Sequence, residues 1–306
     1  MSAVRTLVRG GSRYYYLVQT YRWGGEVRRK ERYLGTTPPI NLDRERESLE
    51  REVWQETWLR SFDEIRVAYQ ARLRLIPPSV REQEREEFIV DFTYDTNRIE
   101  GSTLTHAETS ALLTRGISPP SRPMRDIREA QLHADLVRKL LAKPEPLDLP
   151  HLLSWHRSIF GETKPDIAGR IRDFEVRIRG SKHVPPSALE VRPMLIELLR
   201  RTNRQSRAIH PVEQAATFHF LFEQIHPFGD GNGRVGRLAM NLQLFGAGYP
   251  MLNIRYGRRG GYYRALEKSS LSLKPRPFVL WFFHRYHRDQ RVWLRLTPGK
   301  GQGRKA

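Results

Sequence analysis

Between Ile225 and Arg237 the chain reads IHPFGDGNGRVGR. His226 is a residue that can take a proton near neutral pH. Asp230 offers a hard oxygen of the kind that holds Mg²⁺ together with phosphate oxygens. Glycines at 229, 231 and 233 let the backbone turn successive N–H groups to one side and form a nest for an anion. The next stretch, RVGRLAMNLQLF, carries Val235, Leu238, Leu242 and Phe245 at the spacing of a buried helix face. The glycine turn therefore stands at a helix N-terminus, where free N–H groups and the dipole favour negative charge. Arg234 and Arg237 lie in the first turn of that helix, where positive charge opposes the dipole. They make sense facing a polyanion. A base, a metal ligand, an anion nest and two cations this close together describe phosphate chemistry.

The elements that must position this loop are mostly helical. Apolar residues at three-to-four spacing predict helices over 42–75, 79–99, 126–142, 149–160, 192–203, 210–225, 234–245, 260–271 and 277–292. THAETSALLTRG is a further helix, with Thr105 and Glu108 spaced as a capping box. Two β elements are expected. Residues 13–34 read as a basic hairpin turning at Gly24-Gly25, and Pro38-Pro39 ends it. A short strand pair is expected around RDFEVRIRGSKHVPP, where Val176 and Ile178 alternate with Arg177 and Arg179 before Gly180-Ser181. No repeat and no βαβ rhythm is visible. The expected divisions are an N-terminal basic hairpin (1–36), a helical region (37–145), a core (146–292) and a basic tail (293–306).

The composition narrows the function classes. With 306 residues and 39% hydrophobic content, a sizeable core is affordable. The chain has no cysteine, which excludes disulfides and thiol chemistry, and no pair of histidines has the H-E-x-x-H spacing. No run approaches the ~20 apolar residues of a membrane span, and the start lacks a signal-peptide core. A soluble, cytoplasmic protein with no membrane partner is expected. The net charge of +19 attracts polyanions. Arg22, Arg28, Arg29, Lys30 and Arg32 on the hairpin, with Trp23 and the tyrosines for stacking, make nucleic acid an alternative partner.

His226, Pro227, Phe228, Gly229, Asp230, Gly231, Asn232, Gly233, Arg234, Val235, Gly236 and Arg237 match H-P-F-x-D/E-G-N-G-R-x-x-R without departure. The chain thus resembles the Fic family (filamentation induced by cyclic AMP), from about HLLSWHRSIFG to FVLWFFHRYH. The resemblance implies a Fic-type helical bundle with a small β-hairpin flap. It implies protein adenylyltransferase activity, with AMP passing from ATP to a Ser, Thr or Tyr hydroxyl. His226 would deprotonate that hydroxyl, and Asp230 would hold Mg²⁺. Gly231, Asn232 and Gly233 would form the anion hole, Asn232 adding its side chain. Arg234 and Arg237 would bind the outer phosphates, Arg237 reaching the γ-phosphate. A phosphorylating branch carries lysine where Gly233 stands, so glycine argues against that branch. Val176–Gly180 resembles the family's flap, on which a target segment would add as a strand. Tyr262 and Tyr263 are expected at the nucleoside pocket.

TNRIEG, Thr96 to Gly101, matches the family's inhibitory pattern [ST]-x-x-x-E-[GN]. Thr96 and Glu100 share one helix face. The resemblance implies that Glu100 pairs with Arg237 and occupies the γ-phosphate pocket. It also leaves open AMP removal, another phosphate-ester donor, self-modification and a homodimer.

Overall fold

The structure, a computed structural model, describes residues 2–205 and 208–296. Of the basic tail expected over 293–306, residues 297–306 lie outside that part. The chain divides into two compact units, Met1–Glu64 and Ile65–Ala306.

The first unit holds three antiparallel strands in the order β1 (Ser2–Arg9), β2 (Ser12–Trp23) and β3 (Glu26–Gly35). They are followed by α1 (Leu42–Trp54), a π-helical turn (Gln55–Leu59) and the start of α2 (Arg60–Leu75). The hairpin expected over 13–34 is β2–β3; β1 is an additional strand. It is joined by Gly10-Gly11, both at positive φ like Gly24-Gly25, so one kind of two-residue turn is used twice. Pairing sets Val4 opposite Leu17, whose side chain is fully buried.

The charges of β3 are largely spent inside the unit. Lys30 and Arg32 reach carboxylates of α1 and the π-helical turn, with Lys30–Glu52 at 3.2 Å and Arg32–Glu45 at 2.6 Å. Arg28 pairs with Glu26 at 3.0 Å, and Arg29 pairs with Glu31. Of the five side chains expected to follow phosphates, only Arg22 has no described carboxylate within salt-bridge distance.

The second unit is a helical bundle. Beyond α2 it contains α3 (Pro78–Ile99), α4 (His106–Arg115), α5 (Met124–Ala142), α6 (Leu149–Phe160) and α7 (Ala188–Gln205). Then come α8 (Pro211–Ile225), α9 (Asn232–Gly246), α10 (Arg259–Ser272), α11 (Arg276–Gln290) and α12 (Val292–Leu296). The capping box at Thr105 forms: Glu108 N–H donates to its hydroxyl at 3.2 Å, and Thr105 N–H donates to the Glu108 carboxylate at 2.8 Å. Phe92, Trp155, Phe160, Phe218, Phe222, Phe228 and Leu238 form one core drawn from α3, α6, α8, α9 and the α8–α9 loop. That loop thus rests on packed aromatic rings.

The strand pair expected around Val176–Gly180 is not formed. Residues 175–178 and 181–187 carry no strand assignment, and only a turn at Arg179-Gly180 is regular. The alternation survives as burial, with Val176 and Ile178 half-buried and Arg177 and Arg179 exposed. A ladder is missing because the polar groups here pair elsewhere. Lys182 N–H donates to Glu267 at 3.0 Å, and Pro185 and Pro186 have no N–H to give.

Candidate active site

α8 ends at His226, which takes a left-handed conformation (φ 50°, ψ 61°) and turns the chain sharply. Such a conformation is unfavourable for a non-glycine residue and persists only where its surroundings enforce it. Here Arg172 does much of that: Arg172 N–H donates to Pro227 O at 3.0 Å and its Nε donates to His226 O at 2.8 Å. Burial lowers the His226 pKa to about 4, so the ring is neutral at physiological pH. Its Nδ1 lies 4.0 Å from Glu223, whose carboxyl burial pushes up to about 8.

The glycines are demanded by close packing. Gly231 caps α9 at φ 79°, and a Cβ there would meet the Phe160 ring at 2.3 Å. The first intrahelical bond of α9 runs from Val235 N–H to Gly231 O at 3.1 Å. The amides of residues 232–234 are thus the free N–H end of the helix. The side chain of Asn232 does not join them. It closes a two-bond ring on Phe228, accepting from its N–H and donating to its C=O, both at 2.8 Å. Asn232 thus braces the loop, satisfying two buried peptide groups of Phe228.

Asp230 points to the lip of the loop with its side chain 44% exposed. Burial raises its pKa, but Arg234 and Lys164 outweigh this and hold it below the usual carboxylate range. Lys164 Nζ lies 2.7 Å from Asp230 and 2.9 Å from Glu129. Glu129 in turn binds Arg234. Arg234 is buried, lies over the Phe160 ring at 4.4 Å and donates to Asn97 at 3.3 Å. Buried at the helix N-terminus, its guanidinium is paired with Glu129 from α5. Beneath the loop, His156 stacks on Phe228 at 4.0 Å and donates from Nε2 to Asp230 O at 2.9 Å. Its Nδ1 accepts from Gly169 N–H at 2.8 Å, and burial lowers its pKa to about 4.

Arg237 is almost completely buried and fully engaged. Its Nε donates to the Thr96 hydroxyl at 2.8 Å, and its Nη2 donates to Glu100 at 2.7 Å and to Thr96 O at 3.2 Å. Burial works against its charge, but Glu100 more than restores it and the pKa is raised. Gly233 makes room for this pairing: a Cβ there would stand 2.0 Å from the Glu100 carboxylate. Glu100 itself is the C-cap of α3, followed by Gly101 at φ 97°.

The structure thus brings together His226, Asp230, Gly231, Asn232, Gly233, Arg234, Arg237, Thr96 and Glu100. The two tyrosines adjoin each other, with ring centroids 5.4 Å apart, but differ in exposure. Tyr262 is 1% exposed, bonded to His219 at 2.8 Å and set beside Arg237 within the core. Tyr263 is partly exposed and donates to Ile99 O at 3.1 Å. Arg172, Glu129, Lys164 and His156 are the residues sequence reasoning missed. Glu129 had a signal: it falls among Ile127, Ala130, Ala134 and Val137 on the apolar face of α5.

The Fic/DOC family profile matches residues 146–244, from the start of α6 through most of α9. Residues 146–244 form a Fic domain. Around that Fic domain, the chain is similar to "Protein adenylyltransferase Fic" of Nematostella vectensis, 33% identical over 192 residues, 61% of this chain and 44% of that protein. It is also similar to "Protein adenylyltransferase fic-1" of Caenorhabditis elegans, 32% identical over 207 residues, 66% of this chain and 40% of that one. The chain spans less than half the length of these relatives. Two solved structures agree with the fold. Fic-1 from C. elegans gives a TM-score of 0.69 at 26% identity, covering 84% of this chain and 78% of that one. A Fic family protein from Desulfovibrio desulfuricans G20 gives 0.67 at 26%, covering 78% and 73%. No described helix is long and apolar enough to cross a membrane.

Proposed function

We propose that this chain transfers AMP from ATP to a hydroxyl of a target protein and that Glu100 holds the reaction in check. The observation that carries the reading is the placement of Glu100. Its carboxylate sits against Gly233 and Arg237, over the free N–H end of α9, where a helix N-terminus favours an anion. The carboxylate stands in for a phosphate oxygen of the nucleotide.

In the proposed reaction His226, neutral at working pH, takes the proton of the target hydroxyl. The hydroxyl oxygen bonds to the α-phosphorus, the bond to the β-phosphate oxygen breaks, and pyrophosphate leaves. The N–H groups of the first turn of α9 face the charge that develops there; fixed dipoles of this kind carry much of such catalysis. Asp230, ionised and partly exposed, fits a single carboxylate ligand to Mg²⁺, which when bound would neutralise phosphate charge.

Incubation of wild type and Glu100→Gly with labelled ATP, Mg²⁺ and a lysate, followed by mass spectrometry, tests the proposal. Labelled hydroxyl side chains, with self-modification strongest in Glu100→Gly, are expected. No AMP adduct with either protein, at confirmed ATP binding, would overturn it.

A further inference from the structure

A second charged cavity lies at the other end of α9. It has a volume of about 770 Å³ and is enclosed by α2, α3, α11, α12 and the segment 250–258. α9 is 15 residues long, so its two ends stand about 22 Å apart. The cavity is separate from the His226 loop.

Six arginines and three carboxylates line it. Two of the carboxylates are committed to other partners: Glu84 pairs with Arg72, and Asp91 with His106 at 2.7 Å. The third, Asp289, serves two arginines, Arg285 at 2.6 Å and Arg288 at 3.7 Å. Arg255 and Arg258 have no described carboxylate within salt-bridge distance, and both are exposed. Arg285 is the anchor. Its side chain is 5% exposed, and its Nε lies 2.6 Å from Asp289 at the cavity wall. Burial lowers its pKa, and Arg258, Arg288 and Arg255 push the same way against Asp289 alone. Positive charge gathered in a cavity without matching acids is a site for an anion. Guanidinium forks match phosphate oxygens in pairs.

The remaining wall is aromatic. Trp293 and Tyr69 meet edge to face at 4.9 Å, and Phe88 and Phe245 continue the surface. A volume of this size belongs to small-molecule sites. We propose that this cavity binds a small phosphate ester carrying an aromatic group, of the nucleotide class, with Arg255, Arg258, Arg285 and Arg288 on the phosphate and Trp293 beside the ring.

The Trp293 indole N–H, which donates to Gln290 at 2.8 Å, is a local reporter. Its NMR resonance is identified with Trp293→Phe and followed in the full chain during titration with AMP, inorganic pyrophosphate and adenosine. A saturable shift is expected with AMP and pyrophosphate, and none with adenosine. Arg255→Gln combined with Arg288→Gln changes two exposed side chains and leaves the core intact; it should weaken AMP binding at least tenfold. Arg285→Gln should do the same, and His226→Ala should leave the response unchanged. A resonance that ignores AMP, or that responds equally in the double variant, would overturn the site. Equal response to adenosine would overturn the phosphate assignment.

Discussion

Two stretches flank His226 and are held in opposite ways. On one side, residues 227–237 are braced at nearly every position. Asn232 bonds Phe228 twice, Gly231 rests on Phe160, and Arg234 and Arg237 are 4% and 1% exposed with carboxylate partners. On the other side, residues 173–187 are tied at scattered points, with His183 Nε2 donating to Gln224 O at 2.9 Å. Arg172 donates to Phe174 O at 2.9 Å and to Pro186 O at 2.6 Å, and the turn is pinned by Glu267. Between these ties Phe174 and Val184 stand exposed. The difference suits a reaction whose donor never varies and whose acceptor does. Preorganised dipoles gain rate only where the reacting group always arrives in one place. A loosely tied segment can pair with many chains.

Substitutions on the two sides should separate by size of effect. His226→Ala removes the proposed base and should cost roughly 10²–10⁴ in transfer rate while nucleotide binding persists. Normal transfer by this variant to a defined hydroxyl target would end the mechanism. Asp230→Ala should act in the same direction as withdrawal of Mg²⁺, and ATP titration at several magnesium concentrations would reveal it. Unchanged magnesium dependence would remove Asp230 from the metal.

The pH profile sharpens the donor side further. His226 accepts a proton only when neutral, and its pKa is lowered to about 4. Transfer should therefore be insensitive to His226 titration near pH 6.5 and fall about tenfold per unit below pH 4. An acid limb at 6.5 would show that the ring is solvated in the working state. Folding has its own acid sensitivity. His133 and His219 are held neutral, at about 3, by burial, so their folded pKa lies below the unfolded value of 6.5. Their contribution to stability is present above pH 6.5 and is lost as pH falls toward 3. Melting curves across that window provide the control.

Glu100→Gly should raise transfer about tenfold for each ~1.4 kcal/mol by which Glu100 outcompetes phosphate. Arg237→Ala also frees Glu100 yet should not activate, since phosphate loses the same partner. The smallest effects belong to the loosely tied side. A strand-type side-chain contact is worth ~0.2–1 kcal/mol. Ile178→Ala should thus alter KM for the target about two- to fivefold and leave ATP consumption by self-modification alone. A loss as deep as that of His226→Ala would erase the contrast between the two stretches.

Much of the donor side was legible because it is local. Twelve consecutive residues fix a base, a turn and a helix start, and the four-residue spacing of Thr96 and Glu100 aims both at one partner. What was hidden is what packing across the bundle supplies. Glu129 is 105 residues from Arg234, and Lys164 is 66 from Asp230; no spacing rule connects them. The internal partners of Asn232 and Arg234 were hidden for one reason: at a buried loop, peptide and guanidinium groups are satisfied from within the fold, and no local spacing announces those partners. Strand alternation at 176–179 was visible, but alternation reports which side is buried, not whether a neighbouring strand exists. In the first unit, β1 is joined by the same double-glycine turn as its neighbour, although only residues 13–34 read as a hairpin.

Glu100 closes the last turn of α3 rather than sitting within the helix. Its own N–H donates to Asn97 O at 3.1 Å, Gly101 and Ser102 donate at 3.2 and 3.0 Å, and Tyr263 holds Ile99 O. Fraying of that single turn would swing the carboxylate clear while the buried length of α3 keeps its packing. Helix ends open at a small fraction of the cost of global unfolding. The proposed brake would thus be a hinge at a helix end, its strength set by whatever stiffens or loosens residues 97–102. Amide exchange confined to those residues would track the active fraction without any rearrangement of the bundle.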